Sequence, residues 1–178
     1  MTAITTSSLL VSVFCPDRTG LISAIAGKLF DLGINFGDTT FSILGTGAEF
    51  TAVCEPPADL SQIEIEEQLK ALPELVNAKI SITSFELSTR QEKTADITHY
   101  FTIQGEDHPG LIAQLSEVFM KFDANIVRLN AKVVPAAILD QYVIQIAAWI
   151  PKERTESCLA SINNTASLLQ MTCQYEEN

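Results

Sequence analysis

Two short loops carry the residues best suited to bind a small charged molecule. The first loop runs Asp17-Arg18-Thr19-Gly20, and the second, starting at Asp107, runs Asp-His-Pro-Gly. Each loop stands directly before an apolar run with helical spacing, and the start of a helix offers unpaired backbone amides and a partial positive charge. A glycine at that point removes a side chain, so a ligand can approach the backbone closely. These features favour the capture of a carboxylate.

The same residues also have a purely structural explanation. Aspartate is a favoured N-cap residue, because its side-chain oxygen accepts from the free amides of the first helical turn. Pro109 is tolerated in a first helical turn, and His108 is of a type common in turns. A glycine in a tight strand-to-helix turn needs no ligand. Binding and capping therefore remain alternatives for Asp17 and Asp107.

The two loops belong to an internal repeat. Their shared residues lie at a constant offset of 90 positions, from 17 to 107. The same offset carries Asn35 onto Asn125, each placed just after the predicted helix. A constant offset over about 30 residues indicates two copies of one structural unit.

Both copies have the same predicted order of elements. Apolar alternation predicts strands, and recurrence every three to four residues predicts helices. In the first copy the pattern predicts strands over 9–14, 36–44, 50–54 and 79–87, and helices over 21–30 and 60–72. In the second copy it predicts strands over 100–104, 126–134, 141–149 and 168–175, and helices over 111–122 and 152–163. The turn between the middle strands is short at 45–47 and longer at 135–140.

This order is that of the split βαβ, or ferredoxin-like, unit. The predicted fold class is α+β, with two βαββαβ units, each a four-stranded antiparallel sheet with two helices on one face. We place the first domain at 1–88, a linker at 89–96 and the second domain at 97–178, because residues 88–96 lack large apolar side chains. The other face of each sheet needs cover, which predicts association within the chain or a homo-oligomer.

Composition excludes several classes of protein. The net charge of −11 disfavours direct contact with nucleic acid, which needs a basic surface. No apolar run of about 18 residues exists to span a membrane, and the first residues lack the basic segment of a secretory signal. The four cysteines are widely spaced, which favours reduced thiols in a cytoplasmic protein without a metal site or cofactor.

The two loops, set within two copies of this unit, resemble the strand-to-helix signature of ACT domains, a family of small regulatory modules that bind amino acids. The resemblance covers nearly the whole chain. It implies a ligand site at the loop after the first strand, often at an interface between units. The candidate ligand-binding residues that it implies are Asp17, Arg18, Thr19, Gly20, Leu21, Ile22, Asn35, Asp107, His108, Pro109, Gly110, Leu111, Ile112 and Asn125.

The resemblance also implies roles and partners. Amides near Gly20 would hold the carboxylate of the ligand, and Asp17 or Asp107 its ammonium group. The differences between the loops, Arg18 against His108 among them, predict two sites that are not equivalent. A tandem chain of this size is expected to respond to a small amino acid such as glycine. It would repress transcription of the glycine cleavage system through a LysR-type DNA-binding activator, without touching DNA itself and without catalytic activity.

Two other functions stay open. The chain would be a protein-interaction scaffold if neither loop binds a ligand. Acylphosphatases share the predicted topology, but they need a phosphate-binding loop with an arginine and flanking glycines after the first strand. Asp17 would place an acid in that loop, where its charge repels the phosphate. Binding of amino acids separates the scaffold from the sensor, and turnover of an acyl phosphate would indicate the enzyme.

Overall fold

The computed structural model describes residues 8–135 and 140–178. It divides into two compact units, one ending at Arg90 and the other beginning at Gln91. The central part of the predicted long turn at 135–140 lies outside the described residues. A short 3-10 turn, Lys93–Ala95, lies within the segment that the sequence predicts as a linker.

The first unit follows the predicted order of elements. Its strands and helices are β1 Leu9–Pro16, α1 Leu21–Asp31, β2 Asn35–Leu44, β3 Gly47–Glu55, α2 Gln62–Lys70 and β4 Lys79–Ser84. A 3-10 turn, Pro73–Leu75, follows α2.

The second unit repeats that order. Its elements are β5 His99–Gly105, α3 Leu111–Lys121, β6 Asn125–Val134, β7 Gln141–Trp149, α4 Thr155–Leu168 and β8 Thr172–Glu177. A 3-10 turn, Lys152–Arg154, leads into α4.

Each unit contains one four-stranded sheet, in the order β2-β3-β1-β4 and β6-β7-β5-β8. All neighbouring strands are antiparallel. Helices of each unit contribute to the same buried cluster as one face of its sheet. The predicted fold class of two ferredoxin-like α+β units is confirmed.

Strand alternation sets which side chains enter the core of the first unit. Val11 and Val13 are fully buried in β1, whereas Phe14 is 44% exposed. Successive side chains of a strand point to opposite faces, so Val11 and Val13 face the helices and Phe14 faces away from them. There they pack in one cluster with Ile25 and Leu29 of α1.

The core of the second unit centres on an aromatic side chain. Phe101 is buried in β5, and its ring meets that of Phe119 edge-on with centroids 5.3 Å apart. His99 stacks on Phe101 at 6.2 Å and is also buried. Burial lowers the pKa of His99, against the charge of Glu177, which raises it. His99 is therefore part of the core, which agrees with its position on a strand.

Three helix ends are explained by their local sequence. Ser61 and Glu64 form a reciprocal capping box at the start of α2. Gly33 follows α1 with φ 73°, and its amide donates to the Phe30 carbonyl at 2.8 Å. The corresponding residue after α3 is Asp123, with φ 51°, and aspartate is one of the few residues besides glycine that visit this left-handed conformation.

The last helix and strand differ from the sequence prediction. Helix α4 extends to Leu168, and β8 begins at Thr172, so the predicted strand over 168–175 starts too early. Ala166 at the end of α4 is fully buried and Leu168 is 83% exposed, which is the pattern of a helix face and not of a strand. Among the described residues, no helix is both long and apolar enough to cross a membrane.

Candidate functional site

The two loops start their helices in the same unusual way. Gly20 has φ 94° and Gly110 has φ 88°, and each is the N-cap residue of its helix. Neither cap has a side-chain hydrogen bond. Of the two alternatives that the sequence left for Asp17 and Asp107, binding and N-capping, the capping role is not found. Both aspartates stand three residues before the cap, in the segment between strand and helix.

In the first loop, this geometry leaves the amides of Leu21, Ile22 and Ser23 without a backbone partner among the described residues. The first helical hydrogen bonds run from the amide of Ala24 to the Gly20 carbonyl and from Gln114 to Gly110, both at 2.9 Å. The amides of the residues just before Ala24 have no helical carbonyl to donate to, as is general at the start of a helix. Gly20 is exposed and a Cβ there would meet nothing within 4 Å, so the space beside the Gly20 backbone is open.

The first loop is fixed to its own unit. The Asp17 amide donates to the Thr46 carbonyl at 2.9 Å, and the Arg18 guanidinium donates to the Pro73 carbonyl at 3.3 Å. The Asp17 side chain remains exposed. The structure thus positions a carboxylate next to a helix start, with the neighbouring cation turned toward the backbone of a 3-10 turn.

The second loop has different contacts. His108 is half-buried, whereas its counterpart Arg18 is exposed. The amide of Leu111 approaches the His108 carbonyl at 3.4 Å, a long contact for a hydrogen bond. The loops therefore share their backbone conformation but differ in the groups that surround it.

The apolar residues after each glycine divide into two roles. Leu21 and Leu111 are 2% exposed and anchor the helices in the cores. Ile22 and Ile112 are 47% and 38% exposed, so their side chains stand at the surface beside the loops. Of these four predicted ligand contacts, only the two isoleucines have side chains that a ligand can reach.

A cavity of about 290 Å³ adjoins the first loop. It is lined by Phe14, Cys15, Pro16, Leu44, Thr46, Gly47, Asn77 and Lys79. The Lys79 ammonium supplies a positive charge, and Phe14 with Leu44 supplies apolar surface. A small carboxylate with a short apolar part matches this combination in charge and polarity.

Asn35 and Asn125 do not join the loops of their own units. Each opens a strand after an eleven-residue helix, and such a helix is about 16 Å long. The side-chain amide of Asn125 donates from Nδ2 to the Thr94 carbonyl at 2.8 Å. This hydrogen bond holds the short turn Lys93–Ala95 against β6. Asn35 is exposed, and its side chain has no hydrogen bond to the described part of the chain.

This difference predicts unequal effects of the matched substitutions Asn125→Ala and Asn35→Ala. Loss of the Asn125 hydrogen bond is expected to lower the free energy of unfolding by about 0.5–1.5 kcal/mol, whereas Asn35→Ala leaves it within about 0.5 kcal/mol. Chemical denaturation of the two variants measures both values. Equal losses would contradict the structural role assigned to Asn125.

The cysteines are unsuited to nucleophilic chemistry. Burial raises the pKa of Cys54 and of Cys158 to about 11. Burial also raises the pKa of Cys15, although the nearby Arg18 guanidinium opposes the shift. Because the thiolate and not the thiol is the nucleophile, these side chains are protonated and unreactive near neutral pH.

Comparison with known proteins extends these observations. No known protein-family model matches the sequence. A UPF0237 protein from Streptococcus mutans is 28% identical over 75 residues, which are 42% of this chain and 85% of that protein.

Two solved structures share the fold over almost the whole chain. A protein of unknown function from Galdieria sulphuraria has a TM-score of 0.73 and 20% identity, over 97% of this chain and 98% of that one. A candidate glycine cleavage system transcriptional repressor has a TM-score of 0.68 and 14% identity, over 98% of both chains. The predicted resemblance to a tandem protein of this kind is thus confirmed in fold.

Proposed function

We propose that this chain is an amino-acid-responsive regulatory protein that represses transcription of the glycine cleavage system. In this proposal it acts by binding a DNA-binding activator of the LysR type, and a small amino acid, glycine foremost, weakens that contact. The chain itself performs no catalysis. The fold that this chain shares with the candidate repressor supports a regulatory role. The chemistry of the loops supports a small amino acid as the ligand.

The left-handed glycine at each helix start carries the proposal. Gly20 at φ 94° places open amides and the exposed Asp17 carboxylate within the same loop. Amides at a helix start favour an anion, and a carboxylate favours an ammonium group. An α-amino acid presents both charges, so the loop of the first unit complements a zwitterion.

The charge of the chain supports an indirect action on DNA. A net charge of −11 opposes binding to the phosphate backbone, because affinity for DNA depends on cations that replace its counterions. A regulator with this charge needs a partner that supplies the DNA contacts. A basic DNA-binding protein is such a partner.

Amino-acid control then follows from linkage. A ligand shifts an equilibrium only by its difference in affinity for the two states. Glycine must therefore bind the free regulator more tightly than the regulator bound to its activator. The loop surface would be open in the first state and closed or altered in the second.

Self-association is part of the same proposal. The loop and Asn35 lie at opposite ends of α1, so one unit alone does not bring them to one ligand. A second unit or a second copy of the chain would supply the residue equivalent to Asn35 on the other side of the ligand. We expect a homo-oligomer, which light scattering of the purified chain measures directly.

The central test is stabilisation by glycine. At about a hundredfold over its dissociation constant, a specific ligand raises the free energy of unfolding by about 2.7 kcal/mol. Differential scanning calorimetry of the purified chain should show this rise with glycine. Glycolate, which lacks the ammonium group, and methylamine, which lacks the carboxylate, should each give much smaller shifts.

A panel of the twenty amino acids completes the test. No stabilisation by any of them would reject amino-acid sensing and favour the scaffold. Equal shifts with glycine, glycolate and methylamine would reject the zwitterion site. Equal affinity of glycine for the free chain and for its complex with the activator would reject the control mechanism while leaving the site.

A further inference from the structure

The open face of the second sheet carries one continuous row of side chains from edge to edge. Strand register pairs Arg128 of β6 with Ala147 of β7, Ala147 with Tyr100 of β5, and Tyr100 with Glu176 of β8. Paired residues of neighbouring strands point to the same face. A cation and an anion therefore stand at opposite ends of a row whose middle is a small residue and a phenol.

A groove of about 370 Å³ follows this row. Its lining is mostly polar and consists of Tyr100, Phe101, Thr102, Arg128, Asn130, Gln145, Ile146, Ala147 and Glu176. Ala147, next to Arg128 in the row, has no side chain large enough to fill the space above it. The volume falls within the range of about 300–1,000 Å³ that is typical of small-molecule sites.

A β-bulge sets the position of Arg128. The register between β6 and β7 shifts between Ile126 and Arg128, so that two residues of β6 oppose one residue of β7. Such bulges bend a strand and re-aim the side chain that follows. The bulge thereby brings Arg128 opposite Ala147 in the register.

Arg128 has no ionic partner among the residues that the structure describes. The ion pairs found there are Lys70 with Glu66 and Arg154 with Asp123. The row from Arg128 to Glu176 crosses three strand intervals, or about 14 Å between backbones, so the two side chains stand apart. The chain has twice as many acidic as basic residues, yet none of the described carboxylates pairs with Arg128. Its guanidinium is therefore available to the carboxylate of a ligand.

The first unit lacks this chemistry on the same framework. Its equivalent row runs through Val53, Leu10 and Thr83, and the residue 90 positions before Arg128 is Asp38. Valine, leucine and threonine thus replace alanine, tyrosine and glutamate, and the charge at the edge is reversed. The polar row is a property of the second unit and not of the fold.

We propose that this groove binds a free α-amino acid, in a site separate from the two loops. Arg128 receives the ligand carboxylate, which a guanidinium binds through two parallel hydrogen bonds. Glu176 attracts the ammonium group from the other end of the row. Thr102, Asn130 and Gln145 supply hydrogen-bonding groups for the ligand side chain.

Both charges of the ligand are needed for this assignment. A simple carboxylate is attracted by Arg128 but repelled by Glu176. A simple amine is attracted by Glu176 but repelled by Arg128. A zwitterion satisfies both ends of the row. The groove also offers more volume than glycine requires, so the site favours an amino acid with a polar side chain.

The test uses isothermal titration of the full chain with each of the twenty amino acids. Arg128→Ala is expected to weaken the best polar ligand by about 10- to 100-fold, the effect of removing a hydrogen bond to a charged group. Lys132→Ala is the matched control, because Lys132 lies on the same strand and face but outside the groove. It should leave the dissociation constant within about twofold.

The double variant Gly20→Val and Gly110→Val separates the groove from the loops. Binding that survives in this variant and depends on Arg128 supports the groove. Binding that disappears with the loop glycines overturns the groove and leaves the proposed function intact. Equal effects of Arg128→Ala and Lys132→Ala, or no binding by any of the twenty amino acids, also overturn it.

Discussion

Phe101→Ala is expected to unfold the second unit while the first unit remains folded. The Phe101 ring is 2% exposed and lies 5.3 Å from that of Phe119 and 6.0 Å from that of Tyr175. Truncating a buried phenylalanine lowers the free energy of unfolding by about 3–5 kcal/mol. A loss of this size is a large part of the 5–15 kcal/mol that is typical of a domain. The two buried clusters share no residue, so the first should keep its packing.

The aromatic residues of the chain make this prediction measurable. The chain has one tryptophan and three tyrosines, and all four lie in the second unit. Trp149 fluorescence therefore follows only that unit during denaturation, whereas far-ultraviolet circular dichroism follows both. In the Phe101→Ala variant the fluorescence transition should move to lower denaturant, and part of the dichroism signal should keep the original midpoint.

Leu29→Ala is the matched control in the first unit. Leu29 is fully buried, and its truncation costs about 2–5 kcal/mol. The Trp149 transition should then stay in place while part of the dichroism signal moves. Coincident fluorescence and dichroism transitions in both variants would show that the units unfold as one, and the prediction would fail.

The repeat made much of the fold predictable. Apolar alternation in β1 and helical spacing in α1 are strong signals, and each occurs twice at the same offset. A topology supported by two copies leaves few alternatives for strand order. The conformation at Gly33 was also accessible from sequence, because a glycine after an apolar helix favours a left-handed helix end.

Helix starts were harder to predict than helix ends. Aspartate before an apolar run is a strong N-cap signal, yet Asp17 and Asp107 are not caps. The glycine that follows adopts a left-handed conformation and becomes the cap itself. Local propensity ranks aspartate above glycine at this position, and only the path of the chain out of the strand decides between them.

Contacts over long sequence distances were not accessible at all. The Asn125 side chain looked like part of a ligand site, but it holds the Thr94 carbonyl, 31 residues away. The row from Arg128 to Glu176 depends on strand register and on a bulge at Val127 that no residue type announces. Comparison of the repeats offered one signal, because Asp38 and Arg128 are equivalent positions with opposite charge.

Gly20→Val is expected to abolish stabilisation by glycine at the first loop while the fold survives. A β-branched residue at φ 94° is strained whatever the surrounding space, and such strain costs about 1–3 kcal/mol. The isopropyl group would also stand over the helix-start amides and block a carboxylate. Calorimetry with and without glycine should show a lower midpoint for the variant and no ligand-induced rise.

Gly27→Ala is the matched control for Gly20→Val. Gly27 lies inside α1, and a Cβ there would meet nothing within 4 Å. Alanine in place of glycine in a helix interior stabilises by about 0.5–1 kcal/mol. The control should therefore raise the melting midpoint and keep the full response to glycine. A response lost in both variants would mean that α1 as a whole, and not the loop, controls binding.

Gly110→Val decides whether the two loops are equivalent. Its backbone strain is the same as at Gly20, so its effect on stability should match. Its effect on the glycine response should be much smaller, because the cavity of about 290 Å³ with the Lys79 ammonium adjoins the first loop. Equal loss of response at both positions would assign a ligand to each loop, and an unchanged response in both variants would remove the loops from glycine binding.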